Sequence, residues 1–248
     1  MKKPVDLKSV TEPLVRNFGQ KYSEVLGISL GGRDDGEIFK WFLASILFGA
    51  PIREASAIKT YKCFKKYGVL TPQKIIQTGW QGLVDILDEG SYTRYDFKTA
   101  DKLLEVMGNL VTRYGGSLNS LHQLSLDSID LEKRLKNLGK GIGDVTASIF
   151  LRELRNLWKK ANPRPTPLVV LAAKNLGIIK KDILEKALEV LKEFWTKNKV
   201  AKKTFVNFET ALLRLGKDFC RKKKCQKCAL QASCLALLLR LNPCHDLN

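Results

Sequence analysis

Leu135-Lys136-Asn137-Leu138-Gly139-Lys140-Gly141-Ile142-Gly143-Asp144-Val145-Thr146-Ala147-Ser148-Ile149-Phe150 is the stretch on which the reading of this chain turns. An apolar-periodic segment meets glycines at three alternate positions, and a second periodic segment follows at once, which predicts helix, tight turn, helix. Alternate glycines permit positive φ and leave the backbone uncovered, so consecutive N–H groups at the head of the second helix can face a phosphate. The small pair Thr146-Ala147 lets the two helices approach closely. An ordinary helical hairpin closed by a glycine turn has the same spacing, and the residues alone leave both readings open.

Outward from this hairpin, apolar residues recur at intervals of three and four and no alternating β-branched runs occur, so an all-α fold is expected. Helices are predicted at Gly36 to Leu47, Arg53 to Tyr67, from Thr71-Pro72 onward, Thr99 to Tyr114 and Ser125 to Leu138. The helix after the hairpin is expected from Asp144 to about Trp158. Three prolines between Lys159 and Pro167 forbid a helix there and suggest a domain crossing. Further helices are predicted at Leu168 to Leu176, Lys181 to Trp195 and Lys202 to Leu215.

The 248 residues are enough for one large or two modest domains. Lys and Arg number 43 against 25 Asp and Glu, a net charge of +18. Such a surplus attracts polyanions, which ranks nucleic acid first, an anionic membrane surface second and acidic proteins third. The start, MKKPVDLK, has no apolar segment behind it, so a secretory signal is not expected and the cytoplasm is the expected compartment. Trp41 to Ile52 is broken by Ser45 and Gly49 and is too short to span a membrane.

Of six cysteines, Cys63 and Cys244 stand alone, while Cys220, Cys225, Cys228 and Cys234 are separated by four, two and five residues. In a reducing compartment this clustering favours metal over disulfides, and four thiolates at these separations suit either zinc or an iron-sulfur cluster. Arg221, Lys222, Lys223 and Lys224 fill the first gap. From Lys197 to Cys228 there are eleven basic residues and two acidic ones, Glu209 and Asp218. Such a run reads either as a solvated face or as a contact surface for backbone phosphates held on a short rigid loop.

The hairpin and the cysteines together resemble the helix-hairpin-helix DNA glycosylase superfamily that includes endonuclease III and the adenine-mismatch glycosylases, whose turn reads Leu-Pro-Gly-Val-Gly-x-x-Thr-Ala. The resemblance covers about Gly36 to Cys234 in the family's order. The first cysteine gap is two residues shorter than the family's, and Leu215-Gly216-Lys217-Asp218-Phe219-Cys220 is similar to its His-Gly-Arg-x-x-Cys approach. The resemblance implies two helical domains with DNA in a cleft between them. A six-helix barrel carrying the hairpin would span 37–157, and an iron-sulfur domain would combine 1–36 with 158–248. It also implies a 4Fe-4S cluster on Cys220, Cys225, Cys228 and Cys234, with zinc as the alternative. DNA-backbone contacts would come from Gly139, Lys140, Gly141, Ile142, Gly143 and Thr146. The expected partner is lesion-containing double-stranded DNA, bound by a monomer with no membrane association.

The chain departs from the family at the chemistry. Bifunctional members place a Schiff-base lysine where Val145 stands, and nearly all place an Asp at the head of the helix after the crossing, where this chain has Thr166. A neutral hydroxyl cannot stabilise an oxocarbenium-like sugar as a carboxylate does, and Thr166 is expected to cap its helix instead. The family's DNA-plugging Gln falls near Ala50. Other candidates lie in Gly90-Ser91-Tyr92-Thr93-Arg94-Tyr95-Asp96-Phe97, where Tyr95 could stack on a base, Arg94 hold a phosphate and Asp96 act as acid or base. Asp96 as a helix cap and the tyrosines as core are the structural alternatives. Asp144 is either a catalytic acid or a carboxylate favoured by a helix dipole. Glu54 and Glu153 are weaker candidates, and His122 and His245 show no ligand spacing. The expected function is an atypical base-excision glycosylase without Schiff-base lyase chemistry. The alternatives are a non-catalytic lesion-binding protein or a zinc-stabilised nucleic-acid module.

Overall fold

The computed structural model describes residues 7–180 and 185–238. Cys244, His245, the first six residues and the start of the helix expected from Lys181 lie outside the described residues. All regular structure among the described residues is helical, and no helix there is long and apolar enough to cross a membrane. The chain separates into two compact units, one of Tyr22–Pro163 and one of Met1–Lys21 with Arg164–Asn248. The second boundary falls within the proline-rich crossing. The first falls at 21/22 rather than at 36/37, because the Glu153 carboxylate accepts the backbone N–H groups of Tyr22 and Ser23 and ties that segment into the larger unit.

That unit runs through α2 (Tyr22–Val25), α3 (Asp35–Phe48), α4 (Glu54–Lys66), α5 (Pro72–Glu89), α6 (Asp96–Tyr114), α7 (Leu118–Leu124), α8 (Ser128–Lys136) and α9 (Asp144–Glu153). Local chemistry starts several of them. Asp34 accepts from the Glu37 amide at the head of α3, Thr71 from Lys74 at α5, Ser117 from Ser120 at α7 and Asp127 from Asp130 at α8. Helix α3 is buried almost all round, with Ile38, Trp41, Phe42, Leu43 and Leu47 inaccessible to solvent, and it packs on α4, α7 and α9. Against it lies α9: the Trp41 indole donates to the Phe150 carbonyl at 3.0 Å, and the rings of Phe42 and Phe150 meet edge-on at 5.0 Å.

That indole bond has a local consequence. The Phe150 carbonyl is engaged by Trp41, the Leu154 N–H bonds Leu151 instead, and α9 ends at Glu153 rather than at the expected Trp158. Other boundaries differ as well, and α12 begins at Phe205, three residues after the expected Lys202. Helix α6 begins three residues before Thr99, so Asp96 and Phe97 lie in its first turn. The helix expected from Ser125 to Leu138 is shorter, α8 from Ser128 to Lys136, and Leu126 and Ile129 at its start are 84% and 78% exposed.

The smaller unit contains α1 (Leu7–Phe18), α10 (Pro167–Asn175), α11 (Ala187–Lys197), α12 (Phe205–Leu215), a π-helical turn at Gly216–Cys220 and α13 (Leu235–Leu238). Its core joins Val10 and Leu14 of α1 to Val169, Leu191, Phe208 and Leu212. Asn207 accepts from the Thr204 N–H at the start of α12 and donates to the Gly19 carbonyl after α1.

His122 packs in the larger unit. Its ring stacks on Trp158 at 4.6 Å and 9°, while the Lys160 ammonium donates to the carbonyls of His122, Gln123 and Ser125 at the end of α7. Burial, with the charges of Lys160 and Arg33, pushes the imidazole down from 6.5 to about 4. The folded chain therefore favours neutral His122, and its contribution to stability is full above pH 6.5 and lost as pH falls toward 4. Thermal unfolding over that range is expected to show a smaller loss for His122→Phe, which keeps the stack and removes the titration, than for the native chain.

Candidate nucleic-acid interface and metal centre

The hairpin is built from buried anchors with an open turn between them. Leu135, Leu138 and Ile142 are buried, and the Ile142 N–H donates to the Gly139 carbonyl to close the turn. Gly141 has φ +91°, a conformation costly for any residue with a side chain. The Lys140 amide is turned inward to the Glu105 carboxylate at 3.1 Å. Beyond it, the amides of Gly141, Gly143, Asp144 and Val145 carry no hydrogen bond among the described residues, and all four residues are exposed. The first bond of α9 runs from the Ala147 N–H to Gly143. Four unbonded amides on exposed residues at and just before a helix N-terminus are suited to an anion.

Of the hairpin residues expected to touch DNA, Ile142 and Thr146 are buried, so they shape the turn. Thr146 packs so closely on Gly49 that a β-carbon there would collide with its hydroxyl, which places the Ala50-Pro51-Ile52 loop beside the head of α9. Lys102 of α6 was not legible as a site residue. Its Cε lies 2.6 Å from where a Gly141 β-carbon would sit, so glycine makes room for a lysine supplied by another helix. Lys102 is half-buried, and burial holds its ammonium below the usual lysine range; no carboxylate pairs with it among the described residues. Glycine spacing reveals a turn but not what lies against it.

The catalytic candidates do not converge. Asp144 is exposed and ion-paired with Lys136, joining the end of α8 to the start of α9. Tyr95 is the N-cap residue of α6, half-buried beneath the Arg94 guanidinium at 5.6 Å. The Asp96 carboxylate accepts from the following Phe97 amide at 2.7 Å. No hydrogen bond or ion pair among the described residues links Asp144 to either. Tyr92 is core, its hydroxyl donating to the Leu47 carbonyl. Asp96 has a neighbour that was not anticipated: Asp88, held above the usual carboxylate range by desolvation and by the hydrogen bond and like charge of Asp96. Glu153 is consumed by backbone amides, and Glu54 accepts from the Tyr22 hydroxyl. Val145 is 62% exposed at the head of α9. Thr166 precedes α10 but does not cap it, and its hydroxyl is buried without a hydrogen-bond partner; Pro167 at the first helical position has no N–H, and none of the following amides reaches the hydroxyl.

In the smaller unit, Cys220, Cys225, Cys228 and Cys234 line one small cavity, walled by Leu176, Leu215, Phe219, Leu230 and Leu237. The π-helical turn buries Cys220, and Lys223, at φ +54°, bends the chain back toward Cys225. None of the four is in a disulfide. Burial pushes the Cys220 thiol up to about 12 and raises those of Cys228 and Cys234. As placed, no three His, Cys, Asp or Glu side chains among the described residues stand close enough to cage an ion. Four thiols facing one apolar-walled cavity nonetheless fit a tetrathiolate group in donor chemistry. Arg221, Lys222, Lys223 and Lys224 are all exposed around this loop; Lys222 lies 3.5 Å from Asp218, and the other three have no carboxylate partner among the described residues.

No known family model matches the chain, and a comparison with curated protein sequences finds no match either. Metal analysis of the purified chain is expected to find iron or zinc, with Cys220→Ser and Cys234→Ser each losing it and lowering the melting temperature. Because the thiols must ionise to bind, uptake in zinc or in iron-and-sulfide titrations is expected to release protons and to weaken as pH falls.

Proposed function

We propose that this chain binds the DNA backbone through its hairpin and serves base excision repair as an atypical DNA glycosylase. The observation that carries the reading is the set of four unbonded amides from Gly141 to Val145 beside the unpaired Lys102 ammonium. Amides at a helix head bind a phosphate without reading sequence, as suits a protein that must meet lesions in any context. In the smaller unit, the exposed cations Arg221, Lys223 and Lys224 are suited to phosphate contacts of their own. The four cysteines would hold the tetrathiolate group, whose part is to fix the shape of that basic loop.

For the chemistry, the proposal places an extruded base near Tyr95, Arg94 and the Asp88–Asp96 carboxyl pair. Extrusion costs a few kcal/mol and is least costly at a damaged or mismatched base. In the pair, Asp88 keeps a proton more readily than an isolated carboxyl and suits a general acid, while Asp96 suits a base that orients water. Val145 cannot form a Schiff base, so lyase activity through that position is not part of the proposal. A second reading, lesion binding without chemistry, is favoured by the buried, unpartnered Thr166 hydroxyl and by the exposed apolar Val145 where the resembling family has charged groups.

A panel of duplexes carrying uracil, hypoxanthine, oxidised and alkylated bases and abasic sites separates the two. Base release that Asp96→Asn abolishes supports the glycosylase, and tight binding with no release supports the second reading. Gly141→Ala forces a β-carbon into the left-handed region and onto Lys102, and is expected to weaken duplex binding at least severalfold. Reversing charges among Arg221, Lys223 and Lys224 is expected to flatten the salt dependence by about 0.9 log units per lost phosphate contact.

A further inference from the structure

Of the four tryptophans, Trp41 and Trp158 are fully buried and Trp195 is 6% exposed. Trp80 is 38% exposed and lies against Phe97, itself 56% exposed, with ring centroids 5.2 Å apart. Two aromatic rings left in water forgo the stabilisation that burial brings, so their exposure asks for an occupant. The pair is held in place by the backbone and a polar bond. Gly79, at φ 69° and ψ 175°, kinks α5 immediately before Trp80, and the indole N–H donates to the Asp101 carboxylate at 2.9 Å.

A row of cations adjoins the rings. Arg94 precedes α6, and Lys98 and Lys102 follow on the helix at a spacing of four, which sets them on one face. None of the three has a carboxylate partner among the described residues. Phe97 stands about 7.5 Å along the helix axis from Lys102 and about 140° round it, next in sequence to Lys98; the Lys102 chain lies against Gly141 of the hairpin. Carboxylates also lie near the rings and hold neutral donors: Asp101 accepts from Trp80, Glu105 from the Lys140 amide, Asp96 from the Phe97 amide and Asp85 from Gln81, with Asp88 beside Asp96. Helix α6 thus carries cations that reach the hairpin turn and, on another side, an exposed aromatic pair. Alternating phosphates and unstacked bases are complementary to that arrangement.

We propose that Trp80 and Phe97 form a stacking platform for an unpaired base of a DNA strand whose phosphates run from the hairpin past Lys102 and Lys98. The favoured substrate class is then duplex DNA with an adjoining single-stranded segment. This rests on the hairpin reading above and extends it to a specific DNA form.

The test compares a labelled duplex with the same duplex bearing a short oligothymidine overhang, and with one whose overhang is abasic and keeps the phosphates but lacks bases. The thymidine overhang is expected to tighten binding about tenfold and to quench tryptophan emission, because Trp80 is the exposed indole. The abasic overhang loses the quenching and most of the gain. Phe97→Leu and Trp80→Leu, checked for native helicity by circular dichroism, are expected to abolish the gain and leave plain duplex binding at the native level. Wild-type quenching tests the platform even if a variant does not fold. Equal affinity for thymidine and abasic overhangs, or no quenching, overturns the platform and leaves the hairpin reading standing. Concentration-dependent self-association that Phe97→Leu removes, with no overhang effect, assigns the patch to protein contact and also overturns it. Failure to bind any of the DNAs overturns the hairpin reading and the platform together.

Discussion

The seam between α3 and α9 governs the larger unit. An aromatic helix buried on nearly all sides has no outward stripe with which to be indifferent to its surroundings, so every neighbour must offer it an apolar face. The neighbour that matters most is α9, because Trp41 bonds the Phe150 carbonyl and Phe42 meets the Phe150 ring. These contacts set where α9 lies and where it stops. They therefore also set where its head is, and the head is the proposed phosphate site.

A turn that leaves four amides unbonded is unstable unless its flanks are fixed. Ile142 is buried, Lys140 is tied to Glu105, and Lys136 is paired with Asp144 across the two helices. Asp144, a poor choice beside a bound phosphate, makes sense here: its carboxylate faces the positive end of α9 while Lys136 faces the negative end of α8. The cation of the site is then supplied from α6 by Lys102, which glycine at position 141 admits.

The smaller unit solves a different problem. A loop carrying Arg221 to Lys224 repels itself, and backbone hydrogen bonds and packing oppose this: Arg221 donates to Gly216, Lys223 to Cys220 and Lys224 to Phe219. The π-helical turn widens the end of α12 and delivers Cys220 into the apolar cavity shared by the other three cysteines. The cations are left pointing outward while their backbone is drawn inward.

Helix content, the glycine turn, the cysteine spacing and the charge surplus were all legible in the amino-acid order, because each depends on local periodicity or simple counting. The proline-rich crossing was legible for the same reason. What order alone could not decide was which apolar residues would be covered: Leu126, Ile129, Trp80 and Phe97 have the composition of core and lie in water. Nor could it reveal pairings of residues distant in sequence, such as Lys102 with Gly141, Glu105 with Lys140, Tyr22 with Glu153 or Trp41 with Phe150. Thr166 illustrates the limit, since a hydroxyl at a helix head reads as a cap until the proline after it and the fold around it leave it without a donor. Periodicity is a property of neighbours along the chain, whereas hydrogen-bond partners and solvent exposure are settled by three-dimensional packing.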